Sequence, residues 1–153
     1  MGLDQAVIRP FRTKHNRHFR LEKDFEYNWN ADGCKQKIVI YRDYTFDLSS
    51  IPRIGYLVVD HVDDANMISP SLVHDALYES GGTLVIGDER VGRHYYLDEE
   101  KNEWKPVKGK WSKRATDILF RKMVKEYAPS VRPWKRKLIY WAVVLFGHGS
   151  FAS

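Results

Sequence analysis

Cysteine is the scarcest resource in this chain: Cys34 is the single one, so no intrachain disulfide can form. A lone thiol also leaves no thiolate cluster for a structural metal, and it reads as an idle side chain in a reducing compartment. Long apolar runs are missing as well. The longest, Leu138 to Phe146, is too short to span a bilayer. The N-terminus carries Asp4, Arg9, Arg12 and Lys14 without the basic-then-apolar layout of a secretory signal, so no signal peptide is expected. Internal repeats, low-complexity tracts and Pro/Gly/Ser-rich linkers are not visible, and helix-turn-helix and zinc-finger signatures are lacking too.

What is present suits one packed domain over residues 1–153. At 153 residues, 43% hydrophobic and 14% aromatic, the chain can bury a core without covalent staples. Its charge is unevenly spread. Residues 1–100 hold 12 Lys/Arg against 17 Asp/Glu, whereas residues 101–153 hold 13 against 3. A basic C-terminal third can meet anionic lipid, an acidic partner protein or nucleic acid, or it can neutralise the acidic half of its own fold.

Alternating patterns at His18–Leu21 and Asp24–Trp29, a β-branched run at Lys37–Tyr41 and a turn at Asn30–Gly33 predict an N-terminal antiparallel sheet. Thr83–Ile86 and Arg93–Leu97, with Trp104–Val107 as an edge strand because of Pro106, predict a β wing. Between them lies a short helix bearing His74-Asp75-Ala76-Leu77-Tyr78, with Ser69 as N-cap, Pro70 at the first helical position and Gly81-Gly82 as its stop. Ser112 should cap a helix to about Tyr127, with Ile118, Leu119, Met123 and Tyr127 as its buried stripe. Pro133 opens a last, almost wholly apolar helix expected at the centre of the core. The fold class is therefore α+β, with two facing helices backed by a C-terminal apolar one.

At i and i+4, His74 and Tyr78 share one helix face, with Asp75 about 100° round the axis. A proton carrier, a hard-cation ligand and a phenol thus come from one turn. Two other segments accompany this helix: Asp47-Leu48-Ser49-Ser50-Ile51-Pro52-Arg53 and Thr116-Asp117-Ile118-Leu119-Phe120. Together with the closing Leu145-Phe146-Gly147 they resemble a family of small bacteriophage and prophage proteins known as a domain of unknown function. Asp47, Ser50, Ile51, Pro52 and Arg53 match its first element, His74, Asp75, Leu77 and Tyr78 the second, Asp117 and Phe120 the third. Phe46, Ser49 and Thr116 depart from the pattern. The resemblance implies a phage origin, with the protein in the host cytoplasm or the particle.

The second and third elements are also similar to the core of secreted-type phospholipases and their disulfide-free relatives in parvovirus capsids. That likeness implies His74 as general base on a water, Asp117 and Tyr78 as its orienters, and Asp75 as a ligand of a divalent cation, calcium rather than zinc. The glycine-rich calcium loop of those enzymes has no counterpart before His74, and Asp47 with the Ser49-Ser50 turn is the candidate substitute. Ser50 and Arg53 complete the candidate site.

Two other readings use the same residues or their neighbours. The first is a non-enzymatic virion or host-interaction protein in which Asp117 accepts from His74 or Tyr78, Asp75 bridges to Arg53, and the cluster only ties helices together. The second is a nucleic-acid accessory protein using the basic third with Trp104, Trp111, Tyr127 and Trp134. His61, His94 and His148 are isolated and read as incidental. A His-Asp phosphohydrolase would need an all-helical domain, which the strand-rich first third opposes.

Overall fold

A computed structural model describes residues 3–12, 17–47, 65–147 and 151–152. Strands β1 (Ile8–Arg12) and β2 (Arg17–Leu21) pair antiparallel, Ile8 opposite Leu21, and β5 (Thr45–Phe46) completes a sheet of order β1-β2-β5. Strands β3 (Phe25–Ala31) and β4 (Cys34–Ile40) form a hairpin whose two-residue turn is Asp32-Gly33, both at positive φ (51° and 78°). Asp-Gly tolerates the two left-handed conformations that such a turn requires, so the register is set locally. Two-residue strands β6 (Val85–Ile86) and β7 (Glu89–Arg90) pair with each other.

The β wing is not a separate feature. β8 (Gly92–Asp98) pairs antiparallel with β4, and β9 (Glu103–Pro106) pairs with β8, giving one four-stranded sheet of order β3-β4-β8-β9. Pro106 lies on the edge strand, as its missing N–H demands. Phe25, Tyr27, Ile38 and Ile40 are buried on one face of this sheet, where period-two alternation puts them.

The chain divides into two compact units, Met1–Thr45 with Leu84–Gly109, and Phe46–Thr83 with Lys110–Ser153. Apart from Phe46 in β5, the regular elements described in the second unit are helical. A 3₁₀ turn, Ala65–Met67, leads into α1 (Ile68–Glu79); α2 is Lys113–Tyr127 and α3 is Pro133–Phe146. α1 packs on α2, and α2 on α3. Met67, Phe120, Val124, Val131, Ile139 and Val143 meet in its core. Truncating a residue such as Phe120 to Ala would cost about 3–5 kcal/mol. No helix among the described residues is long and apolar enough to cross a membrane.

Three helix expectations need correction. Ser69 does not cap α1: the 3₁₀ turn starts the coil earlier, so Ser69 and Pro70 lie buried within the first helical turn. That position still suits Pro70, because first-turn N–H groups have no intrahelical partner. Ile118 is half exposed rather than part of the buried stripe of α2. On α3 only Ile139, Ala142 and Val143 are buried, so this helix is not enclosed by the core. Ser112 does cap α2 as expected, its Oγ accepting from the N–H of Ala115 at 3.0 Å.

Candidate functional site

The helical unit gathers its polar chemistry around one carboxylate. Asp117, from the second turn of α2, has one oxygen, Oδ1, 3.0 Å from His74 Nε2. The hydroxyl of Tyr78 donates to the same oxygen at 2.5 Å. The other oxygen, Oδ2, accepts from the ammonium of Lys113 at 2.7 Å. Lys113 lies one turn before Asp117 on α2, the i,i+4 spacing that brings the two together. Its ammonium also donates to the carbonyls of Val143 and Val144 at 3.1 and 3.3 Å in the last turn of α3, and the Val143 carbonyl takes the N–H of Gly147 as well, at 3.0 Å.

Helix geometry explains the rest of the packing. The rings of His74 and Tyr78 lie one turn apart on α1, tilted at 33° with centroids 4.0 Å apart, and Phe120, one turn after Asp117, lies 4.7 Å from the imidazole. Near the end of the chain, the N–H of Ala152 donates to the carbonyl of Tyr78 at 2.9 Å, and Phe151 meets the phenol ring edge-on. Almost nothing of the cluster reaches solvent: the side chains of His74 and Asp117 are 0% and 2% exposed, and that of Lys113 is 16% exposed.

Burial and partners fix the protonation states. Burial penalises a charged imidazole and pushes His74 below its ordinary value, outweighing the upward pull of Asp117. Burial alone would raise the carboxyl of Asp117. The hydrogen bonds from His74, Lys113 and Tyr78 overcome it and hold the group below the usual carboxylate range. Burial and the carboxylate together push the Tyr78 phenol well up. Asp117 is therefore ionised and accepts only, so His74 must donate from Nε2, and its lone pair sits on Nδ1. The arrangement is a neutral imidazole in one tautomer, with an ion pair behind it.

Within this unit, the expected His74, Tyr78 and Asp117 come together. Asp75 is also buried, and Asp47 is half-buried. Among the described residues no three His, Cys, Asp or Glu side chains form a group that could hold a metal ion. Ser50 and Arg53 lie outside the described residues, as do His15, His61 and His148. Lys113 was not foreseen. Its signal is the Lys-x-x-x-Asp spacing on a capped helix, which resembles an ordinary surface ion pair until the core is assembled.

A family model described as a protein of unknown function (DUF1353) matches residues 19–143, which include α1, α2 and most of α3. The chain belongs to this family. The matched span holds His74, Tyr78, Lys113 and Asp117 and ends at Val143. No curated protein and no solved structure matches the chain significantly.

Proposed function

We propose that this protein is a hydrolase in which His74 acts as general base on a water that attacks an ester, with a lipid ester the favoured substrate by analogy. One observation carries the reading: Asp117 holds Nε2 of a neutral imidazole at 3.0 Å while Tyr78 and Lys113 fix the carboxylate itself. As the water oxygen bonds to the ester carbon, its proton passes to Nδ1 and the carbonyl π pair moves onto the carbonyl oxygen. When this tetrahedral intermediate collapses, the ester C–O bond breaks and the imidazolium returns the proton to the departing alkoxide oxygen. The imidazolium so formed is stabilised by the carboxylate already bonded to its other nitrogen. Tyr78 and Lys113 are positioning residues here, because they act through Asp117.

A calcium ion at Asp75 and Asp47 belongs to the same proposal as an assay variable. Calcium takes six to eight oxygen ligands, and the described residues do not assemble such a set, so no step is routed through it. The phage setting, in host cytoplasm or particle, is likewise part of the proposal and does not alter its test.

Burial favours a second reading. Side chains of His74 and Asp117 at 0% and 2% exposure also suit a polar latch that ties α1, α2 and α3 together without chemistry. Hydrolysis of a soluble ester and of phospholipid vesicles, each with calcium or with chelator, separates the two. The enzymatic reading expects turnover that falls at least about a hundredfold in His74→Asn, the scale of a lost general base. Folded protein without turnover under every condition, or with equal turnover in His74→Asn, leaves only the latch.

A further inference from the structure

The last helix presents an apolar face outward. Trp134, Leu138, Trp141 and Leu145 are 54%, 49%, 51% and 60% exposed, on a helix whose buried residues are Ile139, Ala142 and Val143. At 3.6 residues per turn these four positions fall within about 60° of one another. They form a stripe about 16 Å long at 1.5 Å per residue. Large apolar side chains scattered singly on a surface need no explanation, but four in a row on one helix face are a patch.

Its flank is strongly basic. A groove of about 670 Å³ between α2 and α3 is lined by Arg121, Lys122, Lys125, Arg136 and Lys137 next to Ile118 and Trp134. Only part of this charge is spoken for: Lys122 pairs with Glu126 at 3.2 Å, Arg121 lies over the Tyr140 ring at 5.0 Å, and Arg136 donates to the Val131 carbonyl at 2.6 Å. From Lys113 to Lys137 the chain holds nine Lys/Arg against Asp117 and Glu126, and Asp117 is buried.

We infer that the outer face of α3, with the cationic groove beside it, docks on the anionic headgroup surface of a lipid bilayer. The helix lies in the interface plane, Trp and Leu entering the headgroup–acyl boundary while the cations meet phosphate and carboxylate headgroups. Trp suits that depth because its ring is apolar and its N–H is not. The charge chooses between occupants. A second copy of the chain on the same face would bring like-charged grooves together. Nucleic acid would use the cations and the tryptophans but would leave Leu138 and Leu145 facing water. The inference stands without the His74 chemistry, because it concerns binding and not turnover.

The test is co-sedimentation of the full chain with vesicles of phosphatidylcholine alone or mixed with phosphatidylglycerol, at low and high salt. Mixed vesicles should bind at least about tenfold better than neutral ones, with the advantage shrinking as salt screens it. Trp141→Ser with Leu145→Ser, and separately Lys125→Glu with Lys137→Glu, should each weaken binding about tenfold, a loss of about 1.4 kcal/mol. All four positions are on the surface, so melting curves should match the parent's. Equal binding to both vesicle types overturns the inference, as does full binding by either variant. So does a protein that ignores vesicles but binds single-stranded DNA, or elutes as a dimer that the Trp141/Leu145 variant dissolves.

Discussion

The α-carbon of Gly147 lies against the hydroxyl of Tyr78. A Cβ at Gly147 would stand 2.8 Å from Tyr78 Oη and 2.4 Å from the carbonyl oxygen of Val143. The φ of Gly147 is −83°, so its need for glycine comes from crowding rather than from backbone conformation. Both contacts belong to the cluster: Tyr78 Oη donates to Asp117, and the Val143 carbonyl accepts from Lys113. Gly147→Ala should therefore cost about 1–3 kcal/mol, the usual penalty of an extra methyl group in a packed site. Urea unfolding measures it. A variant as stable as its parent would mean that the end of α3 does not press on Tyr78.

Asp117 is the hub, so its replacement should hurt far more than that of any single donor. Asp117→Asn leaves the Lys113 ammonium without its counter-charge in a largely buried position and gives Tyr78 a poorer acceptor. Breaking a buried pair in this way costs about 3–5 kcal/mol. Tyr78→Phe removes one hydrogen bond to a charged group and should cost about 1.5–3 kcal/mol. In the double variant the losses should fall well short of additive, because the Tyr78 bond is already impaired once the carboxylate is gone. Additive losses in a double-mutant cycle would contradict a shared network.

Stability should fall as the solution is acidified from neutral pH. Burial lowers the imidazoles of both His74 and His94, the latter to about 4 from an ordinary 6.5. Below 6.5 the unfolded chain therefore binds protons that the folded chain does not, and acid favours unfolding. For His94 this loss accumulates down to about pH 4, after which both states are protonated. Asp117, held below the ordinary 3.8, adds a further loss only at still lower pH. His94 stacks on Trp29 with ring centroids 5.4 Å apart, and its Nε2 lies 2.7 Å from Gln36 Oε1. His94→Gln cannot titrate, so its melting temperature should decline less steeply between pH 6.5 and about 4. An unchanged slope would remove His94 from the account.

How much of this was readable in advance follows from how local each signal is. The Ser112 cap and the first hairpin's turn are decided by neighbours in sequence: the cap stands where the sequence places it, and the turn expected over Asn30–Gly33 narrows to Asp32-Gly33, with Asn30 and Ala31 paired in β3. The joining of β8 to β4 pairs Ile38 with His94, a contact between residues more than fifty positions apart that no local pattern encodes. α3 misled for a different reason. A run that is apolar all round has no phase, so its composition cannot say which side the protein covers. In the site, His74 and Tyr78 follow from i,i+4 spacing, and the match to a family motif pointed to Asp117. Lys113 stayed hidden because an i,i+4 ion pair looks the same whether its carboxylate is exposed or buried.

Lys113 is also where the cluster can be tuned without touching the imidazole. Its charge lowers the pKa of His74, and its hydrogen bond helps keep Asp117 ionised. In Lys113→Met the His74 imidazole loses a repelling positive neighbour, so it should take up a proton at higher pH than in the parent. Asp117, short of one donor, should protonate more readily. The carbonyls of Val143 and Val144 lose a donor as well, so amide exchange should quicken in the last turn of α3. NMR titration of the His74 ring reads the first effect directly. A purely architectural lysine would loosen the end of α3 while leaving that titration where it was. A rise in the midpoint, alongside an upward shift of the acid limb of any hydrolytic pH profile, would tie the ammonium to the state of the base.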